Sequence, residues 1–532
     1  MAHARGQPRI DRAAASVACV IALAFAFASP SAAVPPGEGS FGGMSVVPAD
    51  ASVAVRVRGA LALRSSGAVR PAQEALLRLA DSRVLGQAWD GIAAELGVPA
   101  DQLVDRVLGT DAIYAERAVG DRTEWVLVAR ADQALQELMV ARLSPANAAG
   151  GRSVFAKQQL ATSWRPPYMA IGPADRTGLL DAAVKLLDGA TVDGSLAAHP
   201  DLAAARSWEV APIEVVLRHD APVGGLSAFA ARPTDGALRV RHRSRFDRAP
   251  LHVAPGAPAD AGLLRALEPA GIAVLSMNPW RGPLDAGEPL DALLLEGGFD
   301  EAMRGNLGAR QAVVLADRAL DGTPVRVPSI AIAMEVGDAL LAERQWDGWG
   351  RRFAEALARR SGASVPERAP AAAGTVREAA IGPAAAAAFA DHPFVRQVSL
   401  CWRTVSGPNG SWQVVASDRA ILDRTVTAVL GAVRTPDLDD AHELGVLDGR
   451  ALAAHLRTWA LQPAMFAPDG HAPFAQAVGL LADIAVAAPS VRWRARAPGG
   501  GVIESEVQVE LPRAADAAAP GTAGAASAGK GQ

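Results

Sequence analysis

The chain is poor in cysteine, lysine and tyrosine. Its 532 residues hold two Cys, two Tyr and three Lys, at 157, 185 and 530. Nearly every basic side chain is therefore arginine, so an arginine cluster carries less information here than in a lysine-rich protein. Cys19 lies near the N-terminus and Cys401 in "VSLCWRTV". Cys19 falls in a segment read below as a signal peptide, and the single cysteine left after cleavage can make no internal disulfide, so the fold must rest on its core. The apolar neighbours of Cys401 predict a buried, inert thiol rather than a nucleophile. A net charge of −4 gives no reason to expect nucleic-acid binding.

Catalytic and metal signatures are missing as well. The nine histidines are scattered, and "HELGV" at His442 has Val446 where a zinc site needs its second histidine. "PDLDDAHE" lacks the glycine that turns a calcium loop. No G-x-S-x-G elbow occurs, and no G-x-G-x-x-G follows a strand. "GAASAGK" at 524–530 imitates a phosphate loop, but no hydroxyl residue follows Lys530 and no helix can. The expectation is no cofactor and no metal. Paired carboxylates need no local motif, so a glycosidase-like acid pair stays open.

The first 33 residues are what the chain does have. Arg5, Arg9 and Arg12 precede an apolar run from Ala13 to Ala28, and Ser31-Ala32-Ala33 fits a signal-peptidase site. Residues 1–33 are read as a signal peptide, with an uncleaved anchor as the rival, and the mature protein as periplasmic or secreted. Residues 34–44 form a short leader. Residues 513–532, rich in Ala and Gly, are read as a disordered tail. No later segment is long and apolar enough to suggest a transmembrane helix.

Between these ends the sequence repeats weakly. "VPADASVAVRV" at 47–57 and "EPAGIAVLSM" at 268–277 each set Pro-Ala before an aliphatic strand. "LSAFAARPTDGALRVRHRSRF" at 226–246 aligns without a gap to "VRWRARAPGGGVIESEVQVEL" at 491–511, each a strand, a Pro-x-x-Gly loop of four residues and a returning strand. Strand-like runs alternate with amphipathic helices. The predicted fold is α+β: two repeated modules, 45–250 and 266–512, each a mostly antiparallel sheet covered by helices on one face and closed by a β-hairpin. A linker at 251–265 separates them. An Ala/Pro-rich insertion near 361–380 is read as a surface loop.

Two stretches are candidate binding surfaces. Arg239, Arg241, Arg243 and Arg245 recur at every second position, which puts all four on one face of a strand with Val240, His242 and Phe246 on the other. Under the hairpin alignment they meet Glu504, Glu506, Gln508 and Glu510, and Arg492, Arg494 and Arg496 face those acids across the second hairpin. The first reading of the row is a solvated face. Docking on an acidic strand and a site for an anionic polymer are the alternatives. Trp346, Trp349 and Phe353 share one helical stripe beside Arg344, Arg351 and Arg352, either a core-facing helix or a partner or membrane surface.

The Pro-Ala strands, the recurrent strand–helix units and the export signal resemble an uncharacterised family of bacterial exported proteins, known as a domain of unknown function. That resemblance implies a fold and no activity. The leading expectation is an envelope protein that binds or scaffolds, its partner an envelope protein or an anionic polymer. The alternative is an envelope-polymer hydrolase using carboxylates that no motif marks.

Overall fold

The computed structural model describes residues 41–59, 85–246, 258–277, 295–362, 375–382, 398–462 and 471–511. Gaps fall at 121, 144, 146, 150, 191–193, 206–207, 209, 220–223, 235, 321, 438–439 and 500. The readings for 1–33, for most of 34–44 and for 513–532 lie outside the described residues. The chain divides into two compact units: residues up to Asp247 together with those from Gln508 onward, and Arg248–Val507. The second boundary falls before the 512 expected from sequence. Among the described residues no helix is long and apolar enough to cross a membrane.

The first unit contains β1 (Val53–Arg58), β2 (Asp111–Val119), β3 (Arg122–Arg130), β4 (Asn147–Ala149) and β5 (Arg152–Phe155). β6 (Leu160–Arg165), β7 (Tyr168–Pro173), β8 (Ile213–Arg218), β9 (Leu226–Thr234) and β10 (Ala237–Arg245) follow. They pair antiparallel in the order β4-β5-β6-β7-β3-β2-β1-β8-β9-β10. Its helices are α1 (Leu85–Leu96), α2 (Ala100–Leu108), α3 (Gln133–Leu143), α4 (Gly178–Leu187) and α5 (Pro200–Ala205).

At β3 the sheet is buried on both faces. Along β3, Val126 and Val128 join a core with Leu179 and Leu180 of α4, while Leu127 and Ala129 join another with Leu96, Leu103 and Leu135 of α1, α2 and α3. This corrects the expectation of helices on one face only. A strand such as "WVLVAR" has no polar alternation because neither of its faces meets water.

The second unit contains β11 (Ala273–Met277), β12 (Leu307–Ala319), β13 (Arg326–Val336), β14 (Arg377–Ala380) and β15 (Ser399–Gly407). β16 (Gly410–Ala416), β17 (Glu443–Asp448) and β18 (Ser490–Gly499) follow, and of β19 (Val502–Glu510) the residues up to Val507 belong here and the rest to the first unit. The antiparallel order is β14-β15-β16-β13-β12-β11-β17-β18. The helices are α6 (Ala261–Leu267), α7 (Glu301–Gly305), α8 (Ala339–Ser361), α9 (Arg419–Gly431), α10 (Gly449–Leu461) and α11 (His471–Ala487). Asp260, Asp338, Asp418 and Asp448 each accept a backbone N–H at the start of a helix, of α6, α8, α9 and α10 in turn. Such caps satisfy donors that the first turn leaves open. α6 and α9 cover one core, and α8 covers a second.

Three local expectations change. Ala259 and Leu263 are core residues, so the end of the supposed linker is packed into the second unit, while 251–257 lie outside the described residues. Residues 377–380 of the supposed surface loop are β14, paired with β15, while 363–374 lie outside the described residues. The loop of the first closing hairpin has two residues rather than four, because Thr234 lies opposite Ala237. Gly236 holds φ 75° there, which suits an Asp-Gly turn between twisted strands.

Candidate functional site

The β9–β10 hairpin carries the arginine row. Arg239, Arg241, Arg243 and Arg245 lie opposite Arg232, Ala230, Ala228 and Leu226. Ala228, Ala230 and Leu226 belong to the core under α4, so the row runs on the same face of the sheet as that core. Arg245 donates to Asp201 of α5 at 3.0 Å. No acid comes from the facing strand, as its sequence requires, but a helix supplies one. Arg239 and Arg243 are engaged by other residues too. The structure does not present the row as four unattended cations.

The matching hairpin of the second unit balances its own charge. Arg494 bonds Glu506 at 2.9 Å and Arg496 bonds Glu504 at 2.6 Å, as the spacing predicts. Arg492 turns instead to Glu268, at 2.6 Å.

Behind the arginine row lies a polar cluster that sequence reasoning found only in part. His242 was assigned to this face, and it stacks on Phe229 with ring centroids 4.4 Å apart. Ser244 meets its Nε2, Ser227 meets Ser244, and His219 Nε2 lies 2.6 Å from Ser227. Burial lowers the His242 pKa to about 4, with the nearby His219 contributing, so its ring is neutral at neutral pH. Ser244 shares the period-two spacing of His242 and was legible. Ser227 and His219 reach the cluster only through strand register.

The tryptophan stripe is internal. Trp346 and Trp349 are 5% and 4% exposed, and Phe353 is half-buried. They pack with Phe299 and Trp402, with Trp346–Trp349 centroids at 5.1 Å and Trp349–Phe353 at 4.9 Å. Arg344, Arg351 and Arg352 are exposed. A partner could reach these indoles only by opening the core, which removes the partner-surface reading. Cys401 is fully buried, and burial followed by Glu378 pushes its thiol up to about 12.

Two buried ionic clusters had no sequence signal beyond an arginine in an apolar strand. In the first unit, Arg56 donates to both oxygens of Asp111, at 2.9 and 2.7 Å. Arg58 reaches Glu214 at 3.3 Å, and Arg56 lies 3.9 Å from the same carboxylate. Register brings them together, for Arg56 faces Glu214 across β1–β8 and Arg58 faces Asp111 across β1–β2. Glu214 is 0% exposed. Burial raises its pKa, against the pull of Arg58, a backbone hydrogen bond from Phe41 and Arg56. Gly43 closes over the cluster, and a Cβ there would stand 2.0 Å from an Arg56 nitrogen.

In the second unit Arg310 bonds Glu335 at 2.6 Å, lies 3.4 Å from Asp260 and stacks over Trp412 at 4.8 Å. Asp260 also caps α6 and accepts from the Thr435 N–H, and Glu335 accepts from the Ala309 N–H. Each carboxylate is held by an arginine and by the backbone it organises. Among the described residues no group of three or more His, Cys, Asp or Glu is placed to hold a metal ion. No family model matches the chain, and neither a curated protein nor a solved structure does.

Proposed function

We propose that this is an exported envelope protein built from two repeats of one α+β module, and that it binds or scaffolds rather than catalyses. The pairing orders support the repeat. In the first unit β3 is followed outward by β7, β6 and β5, and β1 by β8 and β9. In the second, β13 is followed by β16, β15 and β14, and β11 by β17 and β18. The gapless hairpin match at 226–246 and 491–511 supports the same reading, and the basic and apolar segment at 1–33 supports export.

The observation that carries the choice of binding over catalysis is the placement of the buried acids. Glu214 and Asp260 are buried and Asp111 and Glu335 partly so, each is bound by an arginine, and Asp260 and Glu335 also accept backbone N–H bonds. One observation favours the hydrolase reading: Glu214 has a raised pKa beside the Arg56-bound Asp111, and glycoside hydrolysis uses an acid and a carboxylate. Its complete burial stands against that, because a general acid must touch the leaving oxygen.

Co-sedimentation of the purified mature chain with isolated bacterial envelope material tests the proposal. The chain is expected in the pellet at low salt and partly released at high salt, as binding to an anionic polymer requires. A chain that stays in the supernatant at every salt concentration overturns it.

A further inference from the structure

The second unit carries a helical hairpin on two neighbouring strands. β17 ends at Asp448 and β18 begins at Ser490, and the chain between them carries α10 and α11. In the proposed repeat the matching connection, from β8 to β9, is residues 219–225. The Gly449 N–H donates to Pro489 O at 3.1 Å, so the hairpin leaves and rejoins the sheet at one foot. Ala453 packs with Ala482 and Ala485 in a small core of its own, flanked by Leu452 and Leu456. Away from the foot the hairpin meets the start of β13 around Arg326. The Arg326 N–H donates to Thr458 Oγ1 at 3.0 Å, and Arg326 O accepts from Trp459 Nε1 at 2.7 Å. The Trp459 ring packs on Leu320, Val325 and Val327.

His455 sits inside this contact. It is 5% exposed, and its ring tilts against Trp459 with centroids 5.2 Å apart. Its Nδ1 has no hydrogen-bond partner and stands 3.9 Å from Asp317, which is bound to Arg326 at 2.9 Å. Asp317 from β12 and Arg326 from β13 are the charged groups that act on the ring. The other elements packed against α10 hold their charges elsewhere. Asp483 of α11 lies 4.0 Å from Arg457, Asp448 of β17 caps α10, and Arg492 of β18 bonds Glu268. A protonated His455 would be a buried cation beside the Arg326 guanidinium, with its nearest carboxylate already committed.

We propose that α10 and α11 form an acid-released arm of the second unit, latched to β13 through Arg326 while His455 is neutral and freed when His455 takes a proton. Burial holds the His455 pKa below its ordinary 6.5; Asp317 opposes this and Arg326 adds to it. The ring is therefore neutral at pH 7.5, with the latch closed. A base whose pKa is lower in the latched state supports that state while neutral. The support is complete well above pH 6.5 and is lost as pH falls below it. Release uncovers Leu320, Val325 and Val327 beneath Trp459 and leaves the alanine core between α10 and α11 intact.

Amide hydrogen exchange of the mature chain and of His455→Phe, each at pH 7.5 and pH 5, tests this. Comparing two chains at one pH cancels the intrinsic exchange rate, and α9 reports on the rest of the unit. At pH 7.5 the α10 amides should exchange alike in both chains. At pH 5 those of the unmodified chain should exchange several-fold faster than those of the variant, and at most about thirtyfold faster, while α9 stays alike. Equal α10 rates at pH 5 overturn the proposal. So does an α9 that accelerates together with α10, because the unit would then be opening as a whole. Should His455→Phe fail to fold, the unmodified chain decides: α10 must gain on α9 between pH 7.5 and pH 5, and a constant ratio overturns the proposal.

Discussion

The two closing hairpins share a sequence frame and differ in almost every charged or polar position. β9–β10 sets arginines on one face, one of them tied to a helix aspartate, and on the other a histidine–serine line whose serines are buried and whose histidines are half-buried. β18–β19 alternates arginine and glutamate across its strands, and Val507 and Val509 stand where the first hairpin has His242 and Ser244. An antiparallel hairpin constrains which residues face each other, not what they are, so either solution closes a sheet. The difference lies in burial: the second hairpin's ion pairs are partly exposed, whereas behind the first the two serines are buried and the two histidines half-buried.

That difference predicts unequal responses to acid. A histidine whose folded pKa lies below its unfolded value favours the folded state while neutral. Its contribution is fully present above pH 6.5 and is lost as pH falls toward about 4. Over that span the loss amounts to at most about 3 kcal/mol. Urea unfolding of the unmodified chain and of His242→Phe, compared across this window, isolates the effect from that of the carboxylates. The variant should lose less stability on acidification. Equal losses would mean that His242 is already charged or exposed.

A smaller effect belongs to the second hairpin. Arg494→Glu faces Glu506 with a like charge and should cost about 0.5–1 kcal/mol, and adding Glu506→Arg should restore most of it. Because both side chains are partly exposed, the coupling should shrink in high salt. A coupling indifferent to salt would place the pair out of water. The smallest effect is expected from Arg241→Glu, which lies opposite Ala230 with no facing acid to repel it. It should shift stability by less than about 0.5 kcal/mol. Unfolding of the first unit would show that Arg241 is an internal partner.

Much of the fold was legible where the physics is local. Strands such as "TEWVLVAR" and "SWQVVAS", the helices following them and the Asn409-Gly410 turn of β15–β16 carry their signals in adjacent residues. The site was legible only in its period-two spacing, which placed His242 behind Arg241 and Arg243. What escaped depends on register. Arg56 and Arg58 look like the wet side of β1, yet Glu214 and Asp111 arrive from β8 and β2 and hold them inside. The same holds for Ser227 and His219. Helices on both faces were missed for a related reason: an unbroken apolar strand says that it is buried twice, but not by which elements.

The central claim is that the buried carboxylates serve the fold and not a reaction, and Glu214 tests it most directly. Isolated envelope polymer is incubated with the unmodified chain and with Glu214→Gln, and soluble fragments are measured alongside the unfolding midpoint of each protein. The account predicts no fragments from either chain and a lower midpoint for the variant, because Gln leaves Arg56 and Arg58 buried without their full counter-charge. Fragments released by the unmodified chain and abolished in a variant that stays folded would contradict it.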